Sequence, residues 1–221
     1  MHNYFQLIAR HRVLASALFL AIFPFIMPYE ALAINILIFG LFAMGFNLLF
    51  GYMGLLSFGH AAFLGIGSYL TGISIVHYGL PWGAAMLIGV IGAAFGGLIM
   101  GFLAIRTRGI YFSMVTLALG QIMYYIFYKA ESLTGGENGL RGVRVDSFNI
   151  LGIPVDFLNP LVKYYIILFF VVIAIWFISR ILNSPLGAVM EAIRENEKRA
   201  SACGFDVART KLLVFVLSAA I

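Results

Sequence analysis

The stretch WGAAMLIGVIGAAFGGLIMGFLAI, residues 82–105, decides the fold class because it contains 24 consecutive residues without a charged side chain. A helix of that length, rising about 1.5 Å per residue, crosses the roughly 30 Å hydrocarbon core of a bilayer. The whole chain agrees, since 62% of its 221 residues are hydrophobic and only 10% are charged. Soluble domains average roughly 25% charged residues. The sequence therefore predicts a polytopic membrane protein made of α-helices.

Further apolar runs of helical length lie on both sides of this stretch. They are Val13–Met27, Ala31–Phe50, Ala61–His77, Ile110–Tyr128, Leu161–Ile181 and Leu212–Ile221. The last run has only 10 residues, whereas a span needs about 20. We therefore predict an all-α membrane bundle of about six complete spans plus the start of another. It forms one transmembrane domain over residues 1–221, with more helices expected beyond it.

The distribution of lysine and arginine predicts the orientation, because loops that face the cytoplasm carry an excess of both. With a cytoplasmic N-terminus and one crossing per run, ten of these residues face the cytoplasm and four lie outside. Residues 129–160 then form an external, periplasmic loop, and residues 182–211 form a cytoplasmic segment. Arg10, Arg12 and the later Ala31-Leu32-Ala33 imitate a cleavable secretory signal, but a retained first anchor is the simpler interpretation.

A glycine-rich stretch, GYMGLLSFGHAAFLGIGSYLTG at residues 51–72, interrupts the apolar pattern with six glycines. Each glycine costs a helix up to about 1 kcal/mol relative to alanine. The stretch is therefore either a broken helix that lines a path or a closely packed helix. Because the orientation requires Gly51–His60 to re-emerge on the side that it entered, we predict a break or re-entrant turn there.

Polar side chains at depth in these apolar runs are candidates for a substrate path. They are Asn47, Ser57, His60 and Gln121. An unpaired amide or hydroxyl costs free energy in an apolar environment, so their presence calls for an explanation. We predict that they line or border the path, although hydrogen bonds between helices explain them equally well.

Two Gly-x-x-x-Gly motifs, Gly92 to Gly96 and Gly97 to Gly101, predict close helix packing. Glycine at this spacing lets the backbone of a neighbouring helix approach. The motifs are expected either inside the bundle or at a contact between subunits.

The external loop contains the turn-forming sequence ESLTGGENGLRGV, residues 131–143. Gly-Gly and Asn-Gly dipeptides are typical of tight turns. The loop is either an ordered cap over the bundle or a gate and docking surface for something arriving from outside. The residues assigned to this gate are Thr134, Gly135, Gly136, Asn138 and Gly139.

The cytoplasmic segment predicts an amphipathic helix over Pro185–Cys203. Ser184 and Pro185 suit its first positions, and Gly204 suits its end. Its apolar stripe consists of Leu186, Met190, Ile193, Ala200 and Cys203. Asp206 is expected to cap the next helix. The helix either docks on a cytoplasmic partner or lies on lipid headgroups. The lone Cys203 is interpreted as a small buried residue.

Several chemistries lack any signal in the sequence. Proton- and sodium-coupled carriers usually keep charged residues in the membrane. Five spans contain no Asp, Glu, Lys or Arg: Ala31–Phe50, Ala61–His77, Trp82–Ile105, Ile110–Tyr128 and Tyr164–Ser179. The chain has no G-x-x-x-x-G-K-[ST] phosphate loop, no cluster with metal-ligand spacing and no nucleophile–base pair. We therefore predict a non-enzymatic protein without cofactor or metal. Its net charge of +5 reflects topology rather than nucleic-acid binding.

Four segments together carry a family resemblance. They are NLLFGYMGLLSFGHAAFLGIGSY (residues 47–69), RTRGIYFSMVTLALGQI (106–122), LTGGENGL (133–140) and SPLGAVMEAIRENEKRASACGFDVARTKLLVFVLSAA (184–220). In this order they resemble the branched-chain amino-acid ABC importer permeases of the LivM type. The resemblance implies a multi-pass subunit of the bacterial inner membrane that pairs with a LivH-type permease. It also implies two cytoplasmic ATPases and a periplasmic substrate-binding protein.

The resemblance further implies that residues 182–211 couple the permease to the ATPase. The positions that match the family's coupling motif are Glu197, Ala200 and Gly204. Glu191, Ile193 and Arg194 are assigned to the same coupling element, and the apolar stripe is expected to dock on the ATPase. Near relatives import urea or short amides, so these substrates remain alternatives. An ion-coupled secondary carrier and a membrane scaffold without transport activity also remain alternatives.

Overall fold

The structure is a computed structural model that describes residues 19–25, 29–143, 148–150, 153–155 and 159–221. The predicted first span, Val13–Met27, lies largely outside the described residues, although residues 19–25 are helical. The helices are α1 (Glu30–Met53), α2 (Ala61–Val76), α3 (Trp82–Ala104), α4 (Ile110–Lys129), α5 (Glu131–Thr134), α6 (Pro160–Leu182), α7 (Pro185–Glu195), α8 (Glu197–Ala202) and α9 (Val207–Ala220). A 3₁₀ turn covers Gly136–Asn138, and β1 (Phe148–Ile150) pairs antiparallel with β2 (Ile153–Val155).

The all-α class is confirmed, with a single small hairpin among the described residues. Four described helices are long and apolar enough to cross a membrane: Ala31–Met53, Trp82–Ala104, Ile110–Lys129 and Pro160–Leu182. They correspond to four of the predicted complete spans. The run predicted at Ala61–His77 forms α2, an apolar helix of 16 residues.

By its internal contacts the chain divides into two compact units. Unit 1 contains residues 1–44 and 146–184, and unit 2 contains residues 45–145 and 185–221. The core of unit 1 joins the first part of α1 to α6 through Ala33, Leu37, Tyr164, Leu168 and Val171. The hydroxyl of Tyr164 donates a hydrogen bond of 2.6 Å to the Leu20 carbonyl, so its one polar group is satisfied in an otherwise apolar core.

In unit 2, α3 packs between α2 and α9 through its two glycine motifs. A Cβ added at Gly92 would lie 2.0 Å from Leu70 Cδ1 of α2. One added at Gly97 would lie 2.5 Å from the Ala219 Cβ of α9. Both separations are too short for real atoms. At Gly97 the atom met is the Cβ of Ala219, which cannot rotate away, so glycine permits the close approach of α9; at Gly92 the Leu70 side chain would have to move. The packing role of the motifs is confirmed, and both act inside the bundle.

The predicted break between α1 and α2 is confirmed over residues 54–60, which are not part of a regular helix. Its predicted start is wrong, because α1 continues through Gly51 to Met53. The chain turns instead at Gly54, whose φ of +74° favours glycine. Gly59 then lies against α4 so closely that an added Cβ would be 1.9 Å from the Thr116 carbonyl oxygen.

Candidate functional site

The break, residues 54–60, is held against α4 by hydrogen bonds to its own peptide groups. The Ser113 hydroxyl donates to the Leu56 carbonyl at 2.7 Å, and the Phe58 N–H donates to the Thr116 hydroxyl at 3.2 Å. Both α4 side chains are buried. Non-helical backbone at membrane depth survives only where the protein satisfies it, and these two side chains do so. Neither residue was predicted from the sequence, although their i, i+3 spacing places them on one face of α4.

The four predicted path residues do not meet at one place. Ser57 and His60 are buried in unit 2, whereas Asn47 on α1 and Gln121 on α4 are exposed. The Asn47 side chain lies beside Gly51, one turn further along α1, and its Oδ1 is 2.1 Å from the position that a Cβ at Gly51 would take. The assignment of these residues to a path stays a prediction.

His60 lies at a junction between the break, α1 and α9. Its Nε2 is 3.4 Å from the Ser218 hydroxyl, which itself donates to the Gly45 carbonyl at 2.5 Å. The His60 ring also makes edge contacts with Phe46 and Phe63, with centroids 5.4 and 5.3 Å apart. This arrangement ties three elements together, as expected of a helix-to-helix hydrogen bond.

A cavity of about 870 Å³ lies between the break, α2, α4 and the loop that follows α4. Its wall is mainly aromatic and small: Phe58, Gly59, Ala61, Ala62, Gly65, Tyr69, Leu117, Gly120, Met123, Tyr124, Tyr125, Phe127 and Tyr128. Gln121, Gly136, Glu137 and Gly139 complete it. One predicted path residue, Gln121, therefore meets two predicted gate residues. Asn47, Ser57 and His60 are not part of this wall.

The loop that follows α4, predicted to be external, is attached to the end of α4 by Thr134, a buried residue. The Thr134 hydroxyl lies 2.5 Å from the Phe127 carbonyl and 2.9 Å from the Ala130 carbonyl, and it accepts from the Gly136 N–H at 3.3 Å. Gly135, Gly136 and Gly139 have φ values of +76°, +56° and +66°, so the predicted glycine turns are confirmed. The exposed Asn138 closes the 3₁₀ turn. Whether the loop is a gate stays a prediction.

The predicted single helix over Pro185–Cys203 is wrong, because two helices meet at Asn196. This residue has an extended backbone, φ −158° and ψ 100°, and its Oδ1 accepts from the Arg199 N–H. Asparagine at an N-cap satisfies a backbone donor that would otherwise lack a partner. The predicted end is confirmed at Gly204, whose φ is +90°. Asp206 caps α9 by accepting from the Arg209 N–H at 3.0 Å, also as predicted.

The direction of the apolar stripe also differs from the prediction. Met190, Ile193 and Ala200 are buried within this chain, so the expectation that the stripe docks on a separate protein is wrong. Cys203 is exposed rather than buried. Helical periodicity shows that one face is apolar, but it does not show what covers that face. Glu191 and Arg194 lie on exposed positions of α7.

Two polar links fasten α7 and α8 to the rest of unit 2. The Arg194 guanidinium donates to the Gly51 carbonyl in the last turn of α1. Glu197 Oε2 lies 2.8 Å from Nζ of Lys211 on α9, and its Oε1 lies 3.6 Å from the Arg108 guanidinium. The Lys211 side chain is only 6% exposed. This role of Lys211 was not predicted from the sequence, although a lysine at the start of an apolar run indicates a buried partner.

Comparison with known proteins identifies a family for the chain. Residues 29–221 match the model of the family described as branched-chain amino acid transport system / permease component. No solved structure matches the chain.

Three curated relatives are permease proteins named LivM. The Salmonella typhimurium high-affinity branched-chain amino acid transport system permease protein LivM is 33% identical over 204 residues, covering 83% of this chain and 48% of that protein. The Escherichia coli protein of the same name is 31% identical over 203 residues, with the same two coverages of 83% and 48%. A probable LivM from Methanocaldococcus jannaschii is 22% identical, covering 88% and 66%. The chain spans about half the length of the first two relatives.

The family match covers every described element from α1 to α9. It also includes the break, the external loop and the α7–α8 pair. The chain therefore belongs to the permease component family of branched-chain amino acid transport systems.

Proposed function

We propose that the chain is the membrane-spanning part of an ATP-driven ABC importer that moves branched-chain amino acids from outside the cell into the cytoplasm. In this proposal a LivH-type permease completes the pathway in the bacterial inner membrane. Two separate ATPase chains supply the energy, and a periplasmic binding protein delivers the substrate. The observation that carries the proposal is the pair of helices α7 and α8, which is linked to three membrane elements by Arg194 and Glu197.

These links give an ATPase a mechanical connection to the membrane helices. Movement of α7 would pull on the last turn of α1, next to the break, through Arg194. Movement of α8 would pull on α9 and on the α3–α4 connection through Glu197. Alternating access requires such a rigid transmission between two discrete states. The solvent-exposed residues of α7, including Glu191, are the surface on which we place the ATPase.

The cavity between the break, α2, α4 and the external loop supports the choice of substrate. Its wall is aromatic and small, which suits an aliphatic side chain, and Gln121 offers an amide to a polar group of the ligand. Gly136 and Gly139 place the external loop at the edge of this cavity. We propose that the loop forms the gate through which the binding protein delivers its ligand.

Reconstitution of the full-length permease with its LivH-type partner, ATPases and binding protein tests the proposal. Leucine should enter proteoliposomes only when ATP and the binding protein are both present. Urea and acetamide, in parallel assays with their own binding proteins, should not be taken up. A matched control complex carries an ATPase that binds but does not hydrolyse ATP.

Two results would contradict the proposal. Uptake driven by a proton or sodium gradient without the ATPase would establish a secondary carrier. A complex that binds the ATPase yet moves no solute under any condition would establish a scaffold.

A further inference from the structure

A basic pocket of about 630 Å³ lies in unit 2, where α3 ends and α9 begins. Four cationic side chains line it: Arg106, Arg108, Lys198 and Lys211. Two carboxylates, Glu197 and Asp206, are also part of the wall. The pocket is separate from the aromatic cavity between α2 and α4, and of its four cations Arg106 and Lys198 have no part in the proposed transmission through Glu197.

Both carboxylates of the basic pocket are already engaged. Glu197 pairs with Lys211 and Arg108, and Asp206 pairs with Arg209 outside the pocket, with 3.0 Å between Oδ2 and Nε. Within the part of the chain that the structure describes, Arg106 and Lys198 form no ion pair. The pocket therefore has an excess of positive charge, and two of its cations can serve an external anion.

The position of Arg106 relates this charge to the membrane. It follows the end of α3 by two residues, and α3 is long and apolar enough to span. The Arg106 guanidinium carbon lies 4.6 Å from the centre of the Phe102 ring. Phe102 and its neighbour Leu103 are exposed. A cation thus lies at the end of a span, beside an apolar surface of the kind that contacts acyl chains.

We propose that the basic pocket binds the phosphate of an anionic phospholipid of the phosphatidylglycerol type, with its acyl chains along Phe102 and Leu103. The planar guanidinium of Arg106 presents paired donors that match phosphate oxygens, and Lys198 adds a second positive charge. Basic pockets between membrane helices on the cytoplasmic side attract such headgroups. A soluble phosphate compound would use the cations but would leave the adjoining apolar surface without a role.

The test uses the full-length permease in its purified complex, stripped of native lipid in detergent. Short-chain dihexanoyl-phosphatidylglycerol is added back, and its binding is followed by native mass spectrometry. Arg106→Gln should weaken binding about tenfold, a ratio that corresponds to about 1.4 kcal/mol. Lys198→Gln should weaken it by a smaller factor. Arg199→Gln removes a cation from the helix that carries Lys198, but at an exposed position outside the pocket wall, so it should change binding less than about twofold.

Four results would overturn the proposal. The first is equal binding of phosphatidylcholine with the same chains, and the second is an unchanged affinity in Arg106→Gln. The third is competition by inorganic phosphate in the same concentration range, which would indicate a site for soluble anions. The fourth is lipid that binds only after the ATPases have been removed from the complex, which would show that a protein covers this pocket. None of these results bears on whether the complex imports leucine.

Discussion

The link between Glu197 and Lys211 provides a sharp test of how α8 is attached to the membrane helices. We consider Glu197→Gln, which keeps the size of the side chain and its acceptor oxygen but removes the charge. Lys211 is 6% exposed and Glu197 is 32% exposed, so the substitution leaves a buried ammonium group without its carboxylate. Arg108, at 3.6 Å and 74% exposed, loses little because water solvates it.

The magnitude follows from the geometry. At an effective dielectric constant of about 20, the Nζ–Oε2 separation of 2.8 Å corresponds to a gross attraction of about 6 kcal/mol. Desolvation offsets much of this, and removing one member of a buried pair costs about 3–5 kcal/mol. Because Glu197 is partly exposed, we lower the expected loss to about 2 kcal/mol. That value corresponds to a roughly 30-fold change in the equilibrium constant between docked and undocked α8.

Hydrogen–deuterium exchange measures this shift directly, because local opening sets the exchange rate of helical amides. In Glu197→Gln, the amides of α8 should exchange roughly 30-fold faster, whereas those of α3 should keep their rates. Glu195→Gln is the matched control, since it makes the same chemical change at an exposed position of α7. In the reconstituted complex, Glu197→Gln should also raise the number of ATP molecules hydrolysed per leucine imported.

A charge exchange separates the electrostatic role from a steric one. The double variant Glu197→Lys with Lys211→Glu should recover most of the exchange protection that either single variant loses. If α8 in Glu197→Gln exchanges no faster than in Glu195→Gln, the ion pair does not hold this helix, and the transmission proposed through Glu197 is wrong.

Three further predictions concern the external loop, the α7–α1 link and the orientation. Gly136 has a φ of +56°, so Gly136→Ala should destabilise the loop by about 1–2 kcal/mol and lower ATP hydrolysis stimulated by the binding protein. Gly83→Ala is the control, because its Cβ meets open space, and it should leave ATP hydrolysis unchanged. Arg194→Gln should speed amide exchange in the last turn of α1, since it removes a charged donor from the Gly51 carbonyl; unchanged exchange there would contradict that contact. In intact cells, a membrane-impermeant maleimide should label Glu131→Cys but not Cys203; the reverse pattern would invert the topology.

Composition and glycine spacing were sufficient to predict much of the fold. Uninterrupted apolar runs predicted α1, α3, α4 and α6, because a bilayer leaves helices as the simplest way to satisfy every backbone group. The Gly-x-x-x-Gly motifs predicted close approach, and the structure shows a different neighbour at each motif. Apolar runs and Gly-x-x-x-Gly motifs are formed by residues that are near one another in sequence, so they can be recognised in a single sequence.

The candidate site was predictable only in part, because its contacts join distant residues. Asn196 occurs within an otherwise amphipathic pattern, and asparagine is compatible both with the interior of a helix and with an N-cap position. Tertiary packing decides which of the two it adopts, and this is why one continuous helix was predicted where two are found. The pairing of Glu197 with Lys211 and the support of the break by Ser113 depend on tertiary placement. Local patterns identify the polar residues in such a network but do not identify their partners.

The inward direction of the apolar stripe changes what a substitution at Ala200 would reveal. If the stripe faced an ATPase, Ala200→Glu would leave the permease intact and remove only the ATPase. Ala200 is buried within its own unit, so a carboxylate there would instead separate α8 from this chain. Loss of ATPase binding in that variant would then follow from a displaced α8 and would not locate the ATPase surface. Substitutions at exposed positions of α7 and α8 are therefore the ones that can map a partner, because they leave the attachment of both helices unchanged.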